Sequence, residues 1–305
     1  MSGKNSMSKP SILVFAYNDV GYECLDALIQ NDEYILAVIT HKDNPEEEIW
    51  FRSVAGLAQD YDIPVHTPET VSTPDWIERL QSWAPDLILS FYYRNMIPEE
   101  ILAIPRLGAF NMHGSLLPKY RGRAPINWAV LQGEKQTGVT LHHMVKRADA
   151  GDIVDQEAVQ IGPDETAREV FAKCTSAARV VIERRIDELT AGTAPRRAQD
   201  ESQATYFGGR KPEDGRIDWT KDASAIYNLI RAVTNPYPGA FTDVDGKRLM
   251  VWWAKPLPGP GGTPGEVLSV DPLIVAAGSG RLELVNYEWD DEEDRELSKG
   301  QMLGK

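Results

Sequence analysis

The stretch FNMHGSLLPKYRGRAPINWAV, Phe110 to Val130, ends an apolar run with an asparagine and a histidine and continues as a basic loop. The run itself, Gly108 to His113, has the length and apolar character of a buried strand. Because successive side chains of a strand point to opposite faces, Asn111 and His113 share one face. The loop contains proline and glycine and carries three cations, Lys119, Arg121 and Arg123. This pair at a strand end is the first candidate for a functional site.

Short apolar runs alternate with segments of helical spacing over the first 113 residues, beginning with Ile12 to Ala16. Strands that alternate with helices predict a mostly parallel sheet covered on both faces, a Rossmann-like α/β domain. In such sheets ligands bind beyond the carboxyl ends of the strands, which is where Asn111 and His113 fall. The later strands are predicted within YILAVITH (34–41), IPVHT (63–67), DLILSFYY (86–93) and GAFNMH (108–113).

The second half of the chain has a different pattern of predicted secondary structure. Residues 138–161 predict two strands joined by a loop at KRADAGD, and a long amphipathic helix follows from Asp164. A linker is expected at TAGTAPRRAQDESQ, and beyond Thr205 short β-like runs between Pro/Gly turns predict a small β-barrel. The acidic run Asp290–Glu296 is predicted to be a solvated tail segment. The predicted division is a disordered leader (1–10), an α/β domain (11–204) and a C-terminal β-barrel domain (205–305).

Composition excludes several classes of protein. The 305 residues contain 32 Lys and Arg against 46 Asp and Glu, a formal charge of −14, so nucleic acid is not the expected partner. Only Cys24 and Cys174 are present, which predicts no disulfide framework and favours the reducing cytoplasm. No apolar run approaches the roughly 20 residues that span a membrane, so membrane insertion is not expected.

Two common kinds of site lack support in the sequence. The first strand is followed by AYNDVG rather than a G-x-G-x-x-G loop, so no dinucleotide cofactor is expected. Five histidines and two cysteines show no metal-ligand spacing, and no metal is expected. The adjacent His142 and His143 point to opposite faces of a strand, and we expect one to be packed and the other solvated.

Asn111, His113 and Asp149 remain as the candidate constellation. Each has an ordinary structural explanation: Asn111 as a loop-capping amide, His113 as a packed core histidine and Asp149 as the start of a turn. Their combination also suits chemistry, because a carboxylate can fix the tautomer of a histidine and an amide can donate to an oxyanion. Such a trio is typical of acyl-type transfer to an amine without a covalent enzyme intermediate.

The stretch HGSLLPKYRGRAPINWAVLQGEKQTGVTLHHMVKRADAGDIVDQ closely resembles the 10-formyltetrahydrofolate-dependent formyltransferases. The shared pattern is Asn-x-His, then Ser-Leu-Leu-Pro with a basic Arg-Gly loop, then an Asp-x-Gly turn. With FAYNDVGYECLDAL, THKDNPEE and SFYYRNMIPEEIL, the likeness extends over essentially the whole chain from Ser11. It is greatest to the formyltransferase part of the bifunctional enzymes that act on UDP-4-amino-4-deoxy-L-arabinose in lipid A (lipopolysaccharide) modification and polymyxin resistance.

The resemblance implies a role for particular residues. It makes Asn111, His113 and Asp149 the catalytic trio, and it assigns Lys119 and Arg121 either to the phosphates of a sugar nucleotide or to the surface. It implies a second domain with an oligonucleotide-fold-like barrel. The residues implied to contact the folate are Asn95, Met96 and Ile97 by their backbone, together with Arg123, Val145, Lys146, Arg147, Ala148 and Asp149.

The activity implied is formyl transfer from 10-formyltetrahydrofolate to the amine of UDP-4-amino-4-deoxy-L-arabinose. The decarboxylase domain of the bifunctional enzymes is absent from this sequence, so we expect a separate decarboxylase partner, or else a standalone or excised form. The sequence leaves the oligomeric state open, with a homo-oligomer as one option. The alternatives are another sugar N-formyltransferase, for example on a dTDP-linked sugar, a methionyl-tRNA formyltransferase, or a non-catalytic folate or nucleotide binder. The acidic charge disfavours tRNA.

Overall fold

The computed structural model describes residues 9–45, 47–291 and 295–304. The chain forms two compact units: residues 1–122, 138–159 and 172–206 make up the first, and residues 123–137, 160–171 and 207–305 make up the second. Most of the predicted leader (1–10) and part of the predicted acidic tail segment lie outside the described residues. The predicted domain boundary between residues 204 and 205 stays a prediction.

The secondary structure has the following bounds. The strands are β1 (Ile12–Ala16), β2 (Ile35–Ile39), β3 (Val65–His66), β4 (Leu87–Phe91), β5 (Ala109–His113), β6 (Arg121–Gly122), β7 (Gln136–His143), β8 (Ile153–Gln160), β9 (Tyr206–Phe207), β10 (Ala240–Val244), β11 (Lys247–Leu257), β12 (Val267–Val270), β13 (Leu273–Ala276) and β14 (Arg281–Trp289). The α-helices are α1 (Asn18–Gln30), α2 (Val54–Asp60), α3 (Pro74–Trp83), α4 (Glu99–Leu102), α5 (Pro125–Leu131), α6 (Ala167–Ala191) and α7 (Ala223–Val233).

The first unit is built on a seven-stranded sheet in the order β3-β2-β1-β4-β5-β7-β8. Neighbouring strands from β1 to β5 pair in parallel, and β7 pairs antiparallel with β5. The prediction of a mostly parallel α/β sheet is confirmed. The antiparallel placement of β7 beside β5 was not predicted, and it determines which side chains meet at the end of β5.

Burial on both faces explains why the sequences of β1 and β4 are continuous apolar runs. Every residue of β1 and of β4 is buried, as expected for parallel strands that are covered on both faces. On one face, Leu13 and Phe15 belong to a core cluster that also contains Leu80 of α3 and Ile101 of α4. Helices therefore cover the sheet and leave the carboxyl ends of the strands as the edge where loops gather.

The second unit contains a five-stranded antiparallel sheet in the order β10-β11-β14-β13-β12. Helix α7 packs on this sheet, and the ring of Tyr227 lies 5.5 Å from that of Trp253 in an edge-to-face arrangement. The sequence predicted a small β-barrel domain in this part of the chain, and the structure confirms a β domain built on an antiparallel five-stranded sheet. Among the described residues, no helix is both long and apolar enough to cross a membrane.

Both cysteines are free and buried. Burial raises the pKa of the Cys174 thiol to about 12. A thiol in such surroundings is protonated near neutral pH and is a poor nucleophile. The two cysteines are therefore part of the packed core and not of a reactive centre.

Candidate active site

The register between β5 and β7 assembles the site. Asn111 lies opposite His142, and His113 lies opposite Thr140. Because side chains alternate along both strands, these four residues project from the same face of the sheet. Asn111 and His113 fall at the carboxyl end of β5, as the sequence predicted, and β7 adds a second histidine beside them.

His113 is buried, with 6% of its surface exposed, and both of its ring nitrogens face oxygen atoms. Nε2 lies 2.8 Å from the carbonyl oxygen of Tyr120, so Nε2 carries a proton and donates it to that acceptor. Nδ1 lies 3.5 Å from Oδ1 of Asp149. In the neutral ring, Nδ1 is then the nitrogen with a free lone pair, and a proton gained there would face a carboxylate.

Asp149 comes from the loop between β7 and β8 and reaches the end of β5. Its Oδ2 accepts a hydrogen bond of 2.9 Å from the backbone N–H of Gly122, and its Oδ1 lies 3.5 Å from both His113 Nδ1 and His142 Nε2. Burial opposes ionisation of this carboxyl, but the positive charge that His113 and His142 carry when protonated, together with the Gly122 N–H, holds its pKa well below the ordinary value. Asp149 is therefore an anion placed between two imidazoles.

His142 is a site residue that sequence reasoning missed. It is 2% exposed and packed in the site. We expected one of His142 and His143 to be packed and the other solvated; His142 is the packed one, and His143 is half-buried. Its Nδ1 lies 2.9 Å from the carbonyl oxygen of His143, and its Nε2 lies 3.2 Å from Nδ2 of Asn111. A proton on Nδ1 leaves Nε2 as an acceptor, and one N–H of Asn111 donates to it. His142 thereby fixes the orientation of the Asn111 amide.

A buried polar network holds the turn that follows His113. The hydroxyl of Thr140 donates to the Ser115 carbonyl at 2.6 Å and accepts from the Leu117 N–H at 3.0 Å. The side-chain amide of Gln156 donates to the same hydroxyl and to the Leu117 carbonyl, both at 2.9 Å. Buried polar groups that are fully paired rigidify their surroundings. This network fixes the chain direction immediately after the candidate histidine.

The arrangement has three chemical capacities. The Asn111 amide has a second N–H that can donate to an oxyanion. His113 can take a proton at Nδ1, and Asp149 can stabilise the cation that results. The first two groups share one strand face and the third faces them, so the three residues that the sequence singled out lie together in the structure.

The loop after β4, predicted to contact a folate through its backbone, lies at the same sheet edge. Met96 is 63% exposed, whereas Ile97 is buried in the core cluster. The Asn95 side chain donates a hydrogen bond of 3.0 Å to the carbonyl oxygen of Glu69. The buried isoleucine anchors the loop while the neighbouring methionine remains accessible, and the folate contact itself stays a prediction.

The loop Val145–Asp149 is exposed up to Ala148. Lys146 forms an ion pair of 3.0 Å with Glu99, and Arg147 one of 3.3 Å with Glu201. These pairs between exposed side chains are weak and would give way readily to a bound anion.

The three cationic residues of the basic loop after β5 have different environments. Lys119 is exposed. Arg121 is completely buried and bound to other side chains, so it does not serve a substrate phosphate or the surface as the resemblance left open. Arg123 is the first residue of the second unit, where its N–H donates to the Phe207 carbonyl at 3.0 Å. Its predicted role in folate binding stays a prediction.

A cavity of about 270 Å³ opens at the carboxyl ends of β1 and β2, on the same edge of the sheet. Aromatic rings line it, with His41 and Phe51 each about 5 Å from the ring of Tyr17. Lys42 and Arg52 add cations. Among the described residues, no group of three or more His, Cys, Asp or Glu side chains is arranged to hold a metal ion.

Comparison with known families gives two matches that together span most of the chain. Residues 9–186 match the family described as formyl transferase, and residues 210–298 match the formyl transferase C-terminal domain. The first match covers more than half of the chain and includes the trio.

Solved structures share the fold at low sequence identity. The N-formyltransferase from Helicobacter canadensis, in complex with folinic acid and dTDP-3-aminofucose, is 21% identical with a TM-score of 0.68, over 89% of this chain and 97% of that one. WlaRD, a sugar 3N-formyl transferase solved with dTDP and 5-N-formyl-THF, is 20% identical with a TM-score of 0.69, over 90% and 97%. The methionyl-tRNA formyltransferase from Clostridium thermocellum is 22% identical with a TM-score of 0.57, over 80% and 92%.

Proposed function

Because the chain belongs to the formyl transferase family, we propose that it transfers the formyl group of 10-formyltetrahydrofolate to the amine of a nucleotide-linked amino sugar. The observation that carries the proposal is the grouping of an amide donor, an imidazole and an ionised carboxylate at the carboxyl end of β5. A non-catalytic binder would not need a largely covered carboxylate kept ionised beside two histidines.

The reaction follows from what each group can do. The neutral sugar amine attacks the formyl carbon, a C–N bond forms, and the formyl oxygen becomes an oxyanion that accepts from Asn111. His113 takes the proton that the amine nitrogen loses, at Nδ1, and Asp149 stabilises the cation. When the carbonyl reforms, the bond from the formyl carbon to N10 of the folate breaks and N10 receives the proton. The products are the N-formyl sugar and tetrahydrofolate.

The folate donor is supported by relatives and by the site. Two structures of the same fold were solved with folinic acid and with 5-N-formyl-THF. In this chain the accessible Met96 follows the carboxyl end of β4, and the exposed residues 145–148 lead directly to Asp149. These are the residues that would hold the pteridine and glutamate ends.

The acceptor is supported by two observations that favour different nucleotides. The related structures bind dTDP and dTDP-3-aminofucose, which favours a dTDP-linked sugar. The quoted sequence motifs resemble enzymes that use UDP-4-amino-4-deoxy-L-arabinose. The cavity beside Tyr17 and Phe51 fits either, since aromatic rings can stack on a base and Lys42 can pair with a phosphate.

The first prediction tests the acceptor. Formyl transfer is measured with 10-formyltetrahydrofolate and, side by side, a dTDP-linked amino-hexose, the UDP-aminopentose and methionyl-tRNA, by following tetrahydrofolate release. We expect kcat/KM for the better nucleotide sugar to exceed that for the tRNA at least tenfold, which is about 1.4 kcal/mol of transition-state binding. The order of the two sugars assigns the nucleotide.

The control is His113→Ala, which removes the proposed proton acceptor and should be inactive with every acceptor. Robust transfer only to methionyl-tRNA would replace the sugar with tRNA as the acceptor. Absence of transfer from 10-formyltetrahydrofolate to any amine would overturn the proposed function itself.

A further inference from the structure

Gln199 lies outside the trio, yet its side chain is bound to the loop that carries Asp149. Its Nε2 donates to the carbonyl oxygen of Asp149 at 2.8 Å and to that of Gly151 at 2.7 Å. Its Oε1 accepts from Nε and Nη2 of Arg121 at 3.1 and 2.7 Å. A side-chain amide has two donor hydrogens and two acceptor lone pairs, so all four positions are used.

Arg121 determines which end of the Gln199 amide faces the loop. A guanidinium only donates hydrogen bonds, so the oxygen of Gln199 must point to it and the NH₂ group must point away, to the loop carbonyls. Arg121 is held in turn by both carboxylate oxygens of Glu201, at 2.6 and 3.1 Å, and by the Tyr206 hydroxyl. It is fully buried, so this anchor is rigid.

The loop needs such an anchor because Asp149 has a strained backbone. Its φ is 55°, in the left-handed region, which is unfavourable for a residue with a side chain. The three residues before it are exposed and offer little packing. The hydrogen bonds to Gln199 offset this cost at the carbonyl, while the N–H of Gly122 holds the carboxylate.

We propose that Gln199 is a positioning residue for formyl transfer: it holds the Asp149 loop in the strained conformation that places the carboxylate beside His113 and His142. The proposal rests on the proposed function for its kinetic consequences. Asp149 is thus fixed at two points, its carboxylate by Gly122 and its carbonyl by Gln199, and Arg121, which precedes Gly122 in β6, links both points. Without the amide, the carboxylate drifts from His113, and the cation that forms during amine attack loses its partner.

The test uses two substitutions that remove different parts of the contact. Gln199→Ala removes the whole amide. Gln199→Glu keeps an oxygen for Arg121 but replaces the NH₂ donors with a carboxylate that repels the two carbonyls. We expect both variants to lose kcat, by up to about 10²-fold because misplacement of a catalytic group by an ångström has that effect, while KM changes less than about threefold. Gln203→Ala is the matched control, since the exposed side-chain amide of Gln203 lies in the same segment and donates to the Ser202 hydroxyl instead of to the Asp149 loop.

A pH profile separates positioning from general support of the fold. If Gln199 mattered only through Arg121, Gln199→Glu would be at least as active as wild type, because a carboxylate binds a guanidinium more strongly than an amide does. Under our proposal its activity stays below that of wild type at every pH of the assay, since the carboxylate paired with Arg121 remains ionised and offers no donor to the loop carbonyls. A ratio that is flat with pH and close to one would overturn the proposal.

Hydrogen exchange provides a readout that needs no substrate. In Gln199→Ala, amides of residues 145–151 should exchange faster than in wild type, while those of β1 and β4 should not change. Unchanged exchange in the loop would show that Gln199 does not hold it. If the wild-type protein transfers no formyl group, the proposed function fails, and the exchange experiment still decides whether the loop depends on Gln199.

Discussion

At the scale of single residues, the site depends on a carboxylate that stays ionised although most of its surface is covered. Asp149 is 12% exposed at its side chain and still has a pKa well below the ordinary value, because two histidines and a backbone N–H favour the anion over the cost of burial. A group with a depressed pKa contributes stability above its unfolded value near 3.8, and this contribution disappears as pH falls through the folded value. Asp149 is therefore an anion throughout the pH range in which a sugar amine can be neutral.

Substitutions in the trio should affect turnover far more than folding. We expect Asn111→Ala, His113→Ala and Asp149→Asn each to reduce kcat by about 10²–10³-fold, the loss typical of an oxyanion donor, with little change in folate binding. Asp149→Asn is a close structural match, since its amide oxygen can still accept from Gly122. The measurement is kcat with donor affinity by fluorescence quenching. Near-wild-type turnover of His113→Ala would remove His113 from the mechanism.

Double substitutions give a second check on the same group. Because His113 and Asp149 act as a unit, the pair of changes should cost little more than either one alone. Additive losses would indicate that the two residues act in separate steps.

The residues of the site differ in how far the sequence could predict them. Asn111 and His113 could be placed together because strand alternation alone puts them on one face. Asp149 could be chosen because its loop returns toward the same strand end. His142 could not, since its contact with Asn111 depends on β7 pairing antiparallel with β5, a long-range register that a single sequence does not encode locally. The repeated pattern Thr140-x-His142 opposite Asn111-x-His113 was the available signal.

At the scale of elements, the β7–β8 hairpin determines where Asp149 lies. The backbone on the two sides of the loop approaches closely where the strands begin to pair. A Cβ on Gly151 would lie only 1.9 Å from the His143 carbonyl oxygen, so this position requires glycine. The N–H of His143 donates to the Asp152 carbonyl at 2.9 Å, which closes the hairpin at that point. The loop geometry therefore depends on a backbone contact as well as on Gln199.

Gly151→Ala should displace the loop and reduce both stability and turnover. Steric overlap with backbone cannot be relieved by a rotamer change, so we expect a loss of about 1–3 kcal/mol in the free energy of unfolding and at least a tenfold loss of kcat. Gly208→Ala is the control, because a Cβ there has no atom within 4 Å and the change should stay within about 0.5 kcal/mol. Urea unfolding and kcat measure the two effects. Equal stability of both variants would contradict the close approach.

The elements that the sequence predicted well are those whose signal is local. β1 and β4 each lie within a predicted apolar run. Other features depend on residues that are distant in the sequence. They are the order of β7 and β8 in the sheet and the hydrogen bonds that residues 197–201 make within the first unit. Such contacts are decided by packing of the whole domain and leave no periodic trace in the segment itself.

At the scale of the whole molecule, the formal charge of −14 sets the response to pH. Excess negative charge repels itself in the compact state, so partial protonation of carboxylates relieves that repulsion as pH falls. His41 acts in the opposite direction. Its Nε2 accepts a 3.0 Å hydrogen bond from the Arg94 N–H and its ring stacks on Tyr93 at 4.3 Å, and burial together with Arg94 lowers its pKa from 6.5 to about 4.

The sign of the His41 contribution follows from linkage. Between pH 6.5 and 4 the unfolded chain binds a proton at this histidine and the folded chain does not, so the free energy of unfolding decreases as pH falls through that window. We expect wild type to lose more stability between pH 7.5 and 4.5 than His41→Gln, whose side-chain oxygen can still accept from Arg94 but does not titrate. Urea midpoints for both proteins across this range make the comparison, and the charge repulsion common to both cancels in the difference. At pH 7.5 both side chains are neutral, so the difference there reports lost packing alone. Parallel curves from pH 7.5 to 4.5 would show that His41 is protonated as readily in the folded protein as in the unfolded chain.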